Sequence, residues 1–215
     1  VRQTDDLLRI VDEFSKFARM PEPQRQPESP TQLVREAVLF QQVGQPDVSI
    51  ETDLIDEQLL ADVDATMINQ ALTNLIKNAG EAIDSLSEKE GLPEGFQPTI
   101  RVRTYHKAGR AEITIADNGI GLPEDRSRLF EPYVTTRDKG TGLGLPIVKK
   151  IIEEHGGTLT LVDAPAFTPG ARIGAMAVIS LDLTRTDASL APATPDTETP
   201  DTNTPGTAPP AKQAV

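Results

Sequence analysis

Asn74 and Asn78 stand four residues apart in the run NQALTNLIKNAGEAI, residues 69–83. On a helix that spacing puts both carboxamides on one face. A carboxamide oxygen suits a hard cation such as Mg²⁺, which takes oxygen ligands, keeps several waters and shares its shell with phosphates. Taken alone, two Asn at this spacing are usually plain polar surface. A second run, DNGIGLP, extends from Asp117 to Pro123. Gly119 and Gly121 let the backbone approach a ligand closely, and the Asp117 carboxylate can accept from an exocyclic amino group such as that of adenine. The plainer reading is a strand that ends in a turn. A third run, GTGLG at residues 140–144, opens a helical stretch. Backbone N–H groups and the dipole at a helix N-terminus attract phosphate oxygens. Arg137 and Lys139 precede it as a local positive patch, or as a solvated loop. No Lys-Ser/Thr pair follows as in a Walker loop, and the run does not match GxGxxG after the first strand of a βαβ unit.

Helices and strands must hold these runs in place. Asp64 to Leu86 carries Ile68, Ala71, Leu72, Leu75, Ile76, Ala79 and Ile83 as one apolar stripe, with Asp64 suited to the N-cap and Asn74, Lys77, Asn78 and Glu81 on the other side. Leu33–Phe40 reads as a short helix and Val48–Leu54 as a strand. Thr99–Tyr105 and Ala111–Ala116 alternate around Gly109 as an antiparallel hairpin, and Thr158–Val162 and Ala175–Leu183 read as two closing strands. The helix after residues 140–144 should end near Gly156 and Gly157. Strand runs with a few long helices imply an α+β sandwich, a mixed sheet with helices on one face. Thr4–Met20 is amphipathic, with Leu7, Leu8, Val11, Phe14, Phe17 and Ala18 at spacings of three and four, and Pro21 and Pro23 stop it. After Thr184 the composition turns to Thr, Pro, Ala and Asp, too poor in apolar residues to order, so residues 184–215 are read as a disordered tail.

Bulk composition removes whole classes of function. A net charge of −12 argues against a nucleic-acid binder, which needs a basic face, though it leaves room for local basic clusters. There is no cysteine, so disulfides, thiolate metal sites and cysteine nucleophiles are excluded, and two histidines make a poor metal site. No apolar run is long enough to cross a bilayer. The chain begins at Val1 within a helical pattern, so it is expected to be cut from a longer protein, with room upstream for a membrane anchor.

In order along the chain, these runs together with LFEPYVTTRDKGTGLGLPIVKKIIEEHGG, residues 129–157, resemble the N, G1, F and G2 boxes of the histidine-kinase branch of the GHKL ATP-binding superfamily. The resemblance covers roughly Thr31–Leu183 and implies a Bergerat-type two-layer sandwich. It places Asn74, Lys77 and Asn78 in the N box, Asp117, Gly119 and Gly121 in G1, Phe130 and Pro132 in the F box, and Gly140, Thr141, Gly142, Leu143 and Gly144 in G2. It also implies ATP with Mg²⁺ on Asn78 and Asn74, adenine held by Asp117, and a lid over residues 124–141 that includes Arg137 and Lys139. Residues 1–22 resemble the end of the second helix of a dimerising, phosphoaccepting hairpin, joined by a linker at 23–30 to the catalytic domain at 31–183. The implied partners are a second copy in the full-length protein and a response regulator.

Related ATPases carry a water-activating Glu where this helix has Asn74, and an amide cannot act as a general base. The resemblance therefore implies a kinase rather than a rapid ATPase. Neither histidine sits in an H-[ED]-x-x-P-like phosphoacceptor motif: His106 reads as a surface side chain and His155 as a structural one at a helix end. No catalytic residue is assigned, and the fragment alone is not expected to phosphorylate itself. Two alternatives stand beside this reading: a non-catalytic, ATP-gated interaction module that binds through the Thr4–Met20 stripe, and a serine kinase of the anti-sigma type.

Overall fold

The computed structural model describes residues 20–55, 59–134, 141–168 and 170–184. The Thr4–Met20 stripe up to Ala18, the positive patch of Arg137 and Lys139, Gly140 and the tail from residue 185 lie outside the described residues. Among the described residues the elements follow in the order β1 (Gln26–Glu28), α1 (Pro30–Gly44), β2 (Ser49–Asp53), β3 (Ala61–Val63), α2 (Ala65–Glu90), β4 (Thr99–Lys107), β5 (Arg110–Asp117), α3 (Gly144–Glu154), β6 (Thr158–Asp163) and β7 (Ala175–Asp182).

A five-stranded sheet runs in the order β2-β4-β5-β7-β6, with β2 parallel to β4 and every other pair antiparallel. Strand pleating sends alternate side chains to opposite faces. Ile100, Val102, Ile113, Ile115, Ala177, Ile179 and Leu181 all lie buried on one face, where they join Ile68, Leu72, Leu75 and Ile76 of α2 and Val148, Ile151 and Ile152 of α3 in one core. The expected α+β sandwich with a mixed sheet is the observed fold. Full burial of an Ile or Leu side chain stabilises by about 1.5–3 kcal/mol, so this layer is the main reason that α2 and the end of β5 hold a fixed relation.

The fold departs from the sequence reading in three respects. α1 starts at Pro30, not Leu33, because Ser29 Oγ accepts from Gln32 N at 3.3 Å and Pro30 occupies the first turn, where its missing N–H costs nothing. α2 runs on to Glu90, past the last apolar position of the stripe, and its exposed final turns carry good helix formers. A separate two-stranded sheet pairs β1 with β3, which the sequence reading missed altogether. At three residues each, with Pro27 in one, these strands have too little alternation to announce themselves.

Asp64 caps α2 as expected, accepting from Met67 N at 3.1 Å. Its other oxygen accepts from Gln24 N at 2.9 Å. Burial pushes this carboxyl upward, but the N–H groups of Gln24, Met67 and Thr66 outweigh it and hold it below 3.8. A depressed carboxyl stabilises the fold above its unfolded pKa, and that contribution disappears as the pH falls through the folded value. Asp64→Ala should therefore cost about 1 kcal/mol at pH 7 in denaturant unfolding, with the difference from the parent chain shrinking below pH 3.8.

His155 completes the same junction. It is buried at the end of α3, where its Nε2 accepts from Asp64 N at 3.0 Å and its Nδ1 lies 2.7 Å from the Ile151 carbonyl. With Nε2 accepting, the proton sits on Nδ1 and is donated to that carbonyl. Both ring nitrogens are thus used in joining α3 to the start of α2, the structural role expected of this residue. His106 lies exposed on β4, as the sequence reading anticipated.

Candidate functional site

Three backbone turns meet around α2. The first follows β5. Asp117 is 4% exposed, and its Oδ1 accepts from Gly119 N at 2.9 Å and from Ala175 N at 3.3 Å. Burying a carboxylate is costly unless N–H groups compensate it, and these two fix its orientation. Next along the turn, Ile120 N donates to the Ala82 carbonyl of α2 at 3.1 Å. The approach is so close that a Cβ on Gly119 would lie 2.5 Å from Ala82 C and 2.7 Å from Ile83 N. Gly119 is therefore a packing requirement, which the DxGxG spacing suggested only as closeness to a ligand. Gly121 sits at φ +82, where glycine alone is unstrained. Asn118 braces the other side, accepting from Thr99 N at 3.0 Å and donating to Gln97 O at 2.8 Å.

A second contact joins α2 to the glycine-rich run. Gly144 is the first residue of α3, and a Cβ placed there would lie 3.8 Å from Asn78 Nδ2 and 3.9 Å from Asn78 Oδ1. The carboxamide of Asn78 thus stands against the N-terminus of α3, at the positive end of its dipole. Leu143 N donates to Thr141 Oγ1 at 3.4 Å, and Leu143 itself is fully buried in the core. Asn74 is half-buried one turn earlier on the same helix. Lys77 is exposed and lies 3.7 Å from Glu81 along α2, an ordinary surface pair.

The third turn belongs to the stretch after Pro123. Arg126 reaches Asp163 at the end of β6 at 2.6 Å, and Ser127 N and Oγ donate to Asp125 Oδ1 at 3.0 and 2.6 Å. Phe130 is half-buried, with Lys149 Nζ of α3 4.9 Å from its ring centroid, and Pro132 is exposed. Tyr133 N donates to the Gly142 carbonyl at 3.1 Å, which folds the near end of this stretch onto the glycine run. Gly142 has φ +69, and a Cβ there would meet Tyr133 C at 2.6 Å. Of the expected site residues, then, Asp117, Gly119 and Gly121 line one end of α2, while Asn78, Thr141, Gly142, Leu143, Gly144 and Phe130 gather around its middle and α3. Arg137, Lys139 and Gly140 are outside the described residues.

Two groups at the first turn went unnoticed in the sequence. A Cβ on Gly174 would lie 2.0 Å from the Asp117 carbonyl oxygen, so the start of β7 packs directly on the carboxylate's own backbone. Arg172 forms a bidentate pair with Glu90, at 2.6 and 3.1 Å, and also donates to the Ile120 carbonyl at 3.2 Å.

The arrangement offers an acceptor at a buried end and backbone N–H groups at a helix N-terminus, the two requirements for holding a nucleotide by its base and its phosphates. The sequence model of the family described as histidine kinase-, DNA gyrase B- and HSP90-like ATPase matches residues 63–185. The nitrogen regulation protein NtrY of Azorhizobium caulinodans is 47% identical over 167 residues, which are 77% of this chain and 21% of that protein. Among solved structures, a mycobacterial sensor histidine kinase, MprB, superposes with a TM-score of 0.61 at 25% identity over 74% of this chain and 97% of the other. The catalytic domain of the histidine kinase ThkA does so at 0.59 and 26%, over 74% of this chain and 95% of that one. The chain thus spans about a fifth of the curated relative and nearly all of the two solved chains. It belongs to the histidine kinase-, DNA gyrase B- and HSP90-like ATPase family, on its sensor histidine kinase branch.

Proposed function

We propose that this chain binds ATP with Mg²⁺ between α2, the Asp117 turn and the N-terminus of α3, and that in the full-length protein it donates the γ-phosphoryl group to a histidine on an upstream hairpin. What carries the reading is the placement of the Asn78 carboxamide against Gly144 at the head of α3. An oxygen ligand beside a phosphate-binding helix end suits a cation shared between protein and phosphates. Asn78 and Asn74 would hold the ion, which when bound supplies charge neutralisation at the phosphates. Asp117 would accept from the adenine amino group, the backbone of Thr141 to Gly144 would hold the phosphate oxygens, and Phe130, within the lid, would hold it against α3 through Lys149.

In the transfer the bond between the γ-phosphorus and the β–γ bridging oxygen breaks as an imidazole nitrogen bonds to phosphorus, and ADP leaves. Orientation and exclusion of water are the chief contributions that the domain makes to such a step. Asn74 supports the kinase reading because its amide cannot deprotonate an attacking water. The phosphoryl group then passes to an aspartate of a response regulator, and the similarity to NtrY supports an NtrX-like regulator concerned with nitrogen regulation. Dimerisation through the hairpin, of which residues 1–22 are the end, and an inner-membrane anchor upstream belong to the same proposal. Among the described residues no helix is long and apolar enough to cross a membrane.

Calorimetric titration with a non-hydrolysable ATP analogue, with and without Mg²⁺, tests the pocket. Asn78→Ala should remove the Mg²⁺-dependent part of the affinity, roughly tenfold or about 1.4 kcal/mol, and leave the Mg²⁺-free affinity nearly unchanged. Equal binding by parent and variant in Mg²⁺ would remove Asn78 from the metal site, and no binding by the parent chain would remove the nucleotide reading.

A further inference from the structure

Four consecutive residues, Arg172 to Ala175, lie along the Asp117 turn. Ala175 N donates to Asp117 Oδ1 at 3.3 Å, Gly174 packs on the Asp117 carbonyl, and a Cβ on Gly121 would meet the Ile173 carbonyl oxygen at 3.1 Å. Arg172 extends these contacts to α2. Its guanidinium donates to Glu90, the last residue of α2, at 2.6 and 3.1 Å, and the same Nη2 donates to the Ile120 carbonyl at 3.2 Å. Ile120 N already donates to the Ala82 carbonyl at 3.1 Å. Both backbone polar groups of Ile120 are therefore held, one directly on Ala82 and one through Arg172 on Glu90, positions about 12 Å apart along the helix.

These contacts bear on Asp117 from two sides. Its Oδ1 accepts from Gly119 N, in the turn that Ile120 continues, and from Ala175 N, which follows Arg172 closely in the chain. One guanidinium thus joins the two segments whose N–H groups set the direction of the carboxylate. An ion pair whose side chains are 38% and 48% exposed adds little to folding stability. Its bidentate geometry, however, fixes direction as well as distance, which a lysine ammonium would not do.

We propose that Arg172 is a positioning residue for the adenine base: anchored on Glu90, it holds the Ile120 carbonyl so that the Asp117 carboxylate faces the amino group. The proposal rests on the nucleotide reading of the pocket and adds a residue to it that touches neither base nor phosphate. Without the guanidinium the turn keeps its bond to Ala82, but its tie to the segment before β7 loosens and the carboxylate swings off line. Hydrogen bonds weaken steeply away from linearity, so affinity falls without any contact to the nucleotide being removed.

Arg172→Met keeps the reach and apolar stem of the side chain and removes its donors. The full chain carrying it should bind a non-hydrolysable ATP analogue about tenfold more weakly, the lower end of what partners that orient a ligand-binding carboxylate contribute in metal sites. The loss should be the same with and without Mg²⁺, and the denaturant midpoint should hardly move. Against the same analogue built on unsubstituted purine, which has no amino group to meet Asp117, parent and variant should agree within about twofold; in an Asp117→Asn background Arg172→Met should likewise add less than about twofold, because both changes act on one contact. Equal affinity of parent and variant for the ATP analogue would overturn the proposal and leave the pocket standing. A loss of the same size for both bases would make Arg172 a general structural tie and overturn it too. Absence of nucleotide binding by the parent chain would overturn the pocket reading and this proposal together.

Discussion

Asp117→Asn should weaken binding of an ATP analogue roughly 100-fold while leaving the denaturant midpoint nearly where it was. The two effects separate because the two carboxylate oxygens have different duties. The amide oxygen of Asn can still accept from Gly119 N and Ala175 N, the bonds that fix the turn at 2.9 and 3.3 Å. Where the carboxylate presented a second acceptor, however, the amide presents N–H donors, and the adenine amino group is itself a donor. A lost charge-assisted hydrogen bond, together with an unsatisfied donor pair in a buried site, is worth about 3 kcal/mol, which is the 100-fold expected. Guanine carries an oxygen where adenine carries the amino group, so the preference for adenine over guanine nucleotides should also narrow in this variant. Asp117→Ala is the contrasting case, since it removes the acceptors for Gly119 and Ala175 too and should lower both affinity and stability. Competition between ATP and GTP analogues, read by fluorescence, decides the point: an Asn variant that keeps its affinity and its adenine preference would mean that Asp117 is purely structural.

The same turn shows how far sequence reasoning reached. Asp117, Gly119 and Gly121 could be picked out because their chemistry is local: a carboxylate and two glycines within five residues, directly after an alternating strand. α2 was readable for a similar reason, a long stripe at helical spacing behind a capping Asp64. The hairpin of β4 and β5 followed from alternation around Gly109. What escaped was non-local. Pairing of β2 in parallel with β4 joins segments about fifty residues apart, and no local pattern encodes that choice. β1 and β3 are held by register with each other rather than by any periodicity of their own. Arg172 looked like one charged residue in a loop, and only the fold brings it to Glu90 and Ile120. Gly119 was noticed for approach to a ligand, while its approach to the backbone of α2 was not legible.

Gly174 is the residue for which this distinction has the largest measurable consequence. Gly174→Ala should cost about 3 kcal/mol or more in denaturant unfolding, and weaken nucleotide binding with it. Gly156→Ala, by comparison, should cost only about 1 kcal/mol. Gly156 has φ +70 with nothing within 4 Å of an added Cβ, so alanine there meets backbone strain alone. Gly174 presents the opposite case. An added Cβ would lie 2.0 Å from the Asp117 carbonyl oxygen, 2.7 Å from its carbon and 2.9 Å from Oδ1. Backbone atoms cannot rotate aside as a flexible side chain can, so either β7 or the end of β5 must shift. Overpacking a close-packed interior typically costs about 1–3 kcal/mol, and here the obstruction is main chain within a hydrogen-bonded sheet. A shift of β7 would also draw Ala175 N away from Asp117 Oδ1, releasing the carboxylate from one of the N–H groups that orient it. Stability and affinity are therefore coupled at this position, whereas in Asp117→Asn they are not. A Gly174→Ala chain that unfolds within about 0.5 kcal/mol of the parent and binds the ATP analogue equally well would show that β7 and the Asp117 turn are not packed as closely as these distances require.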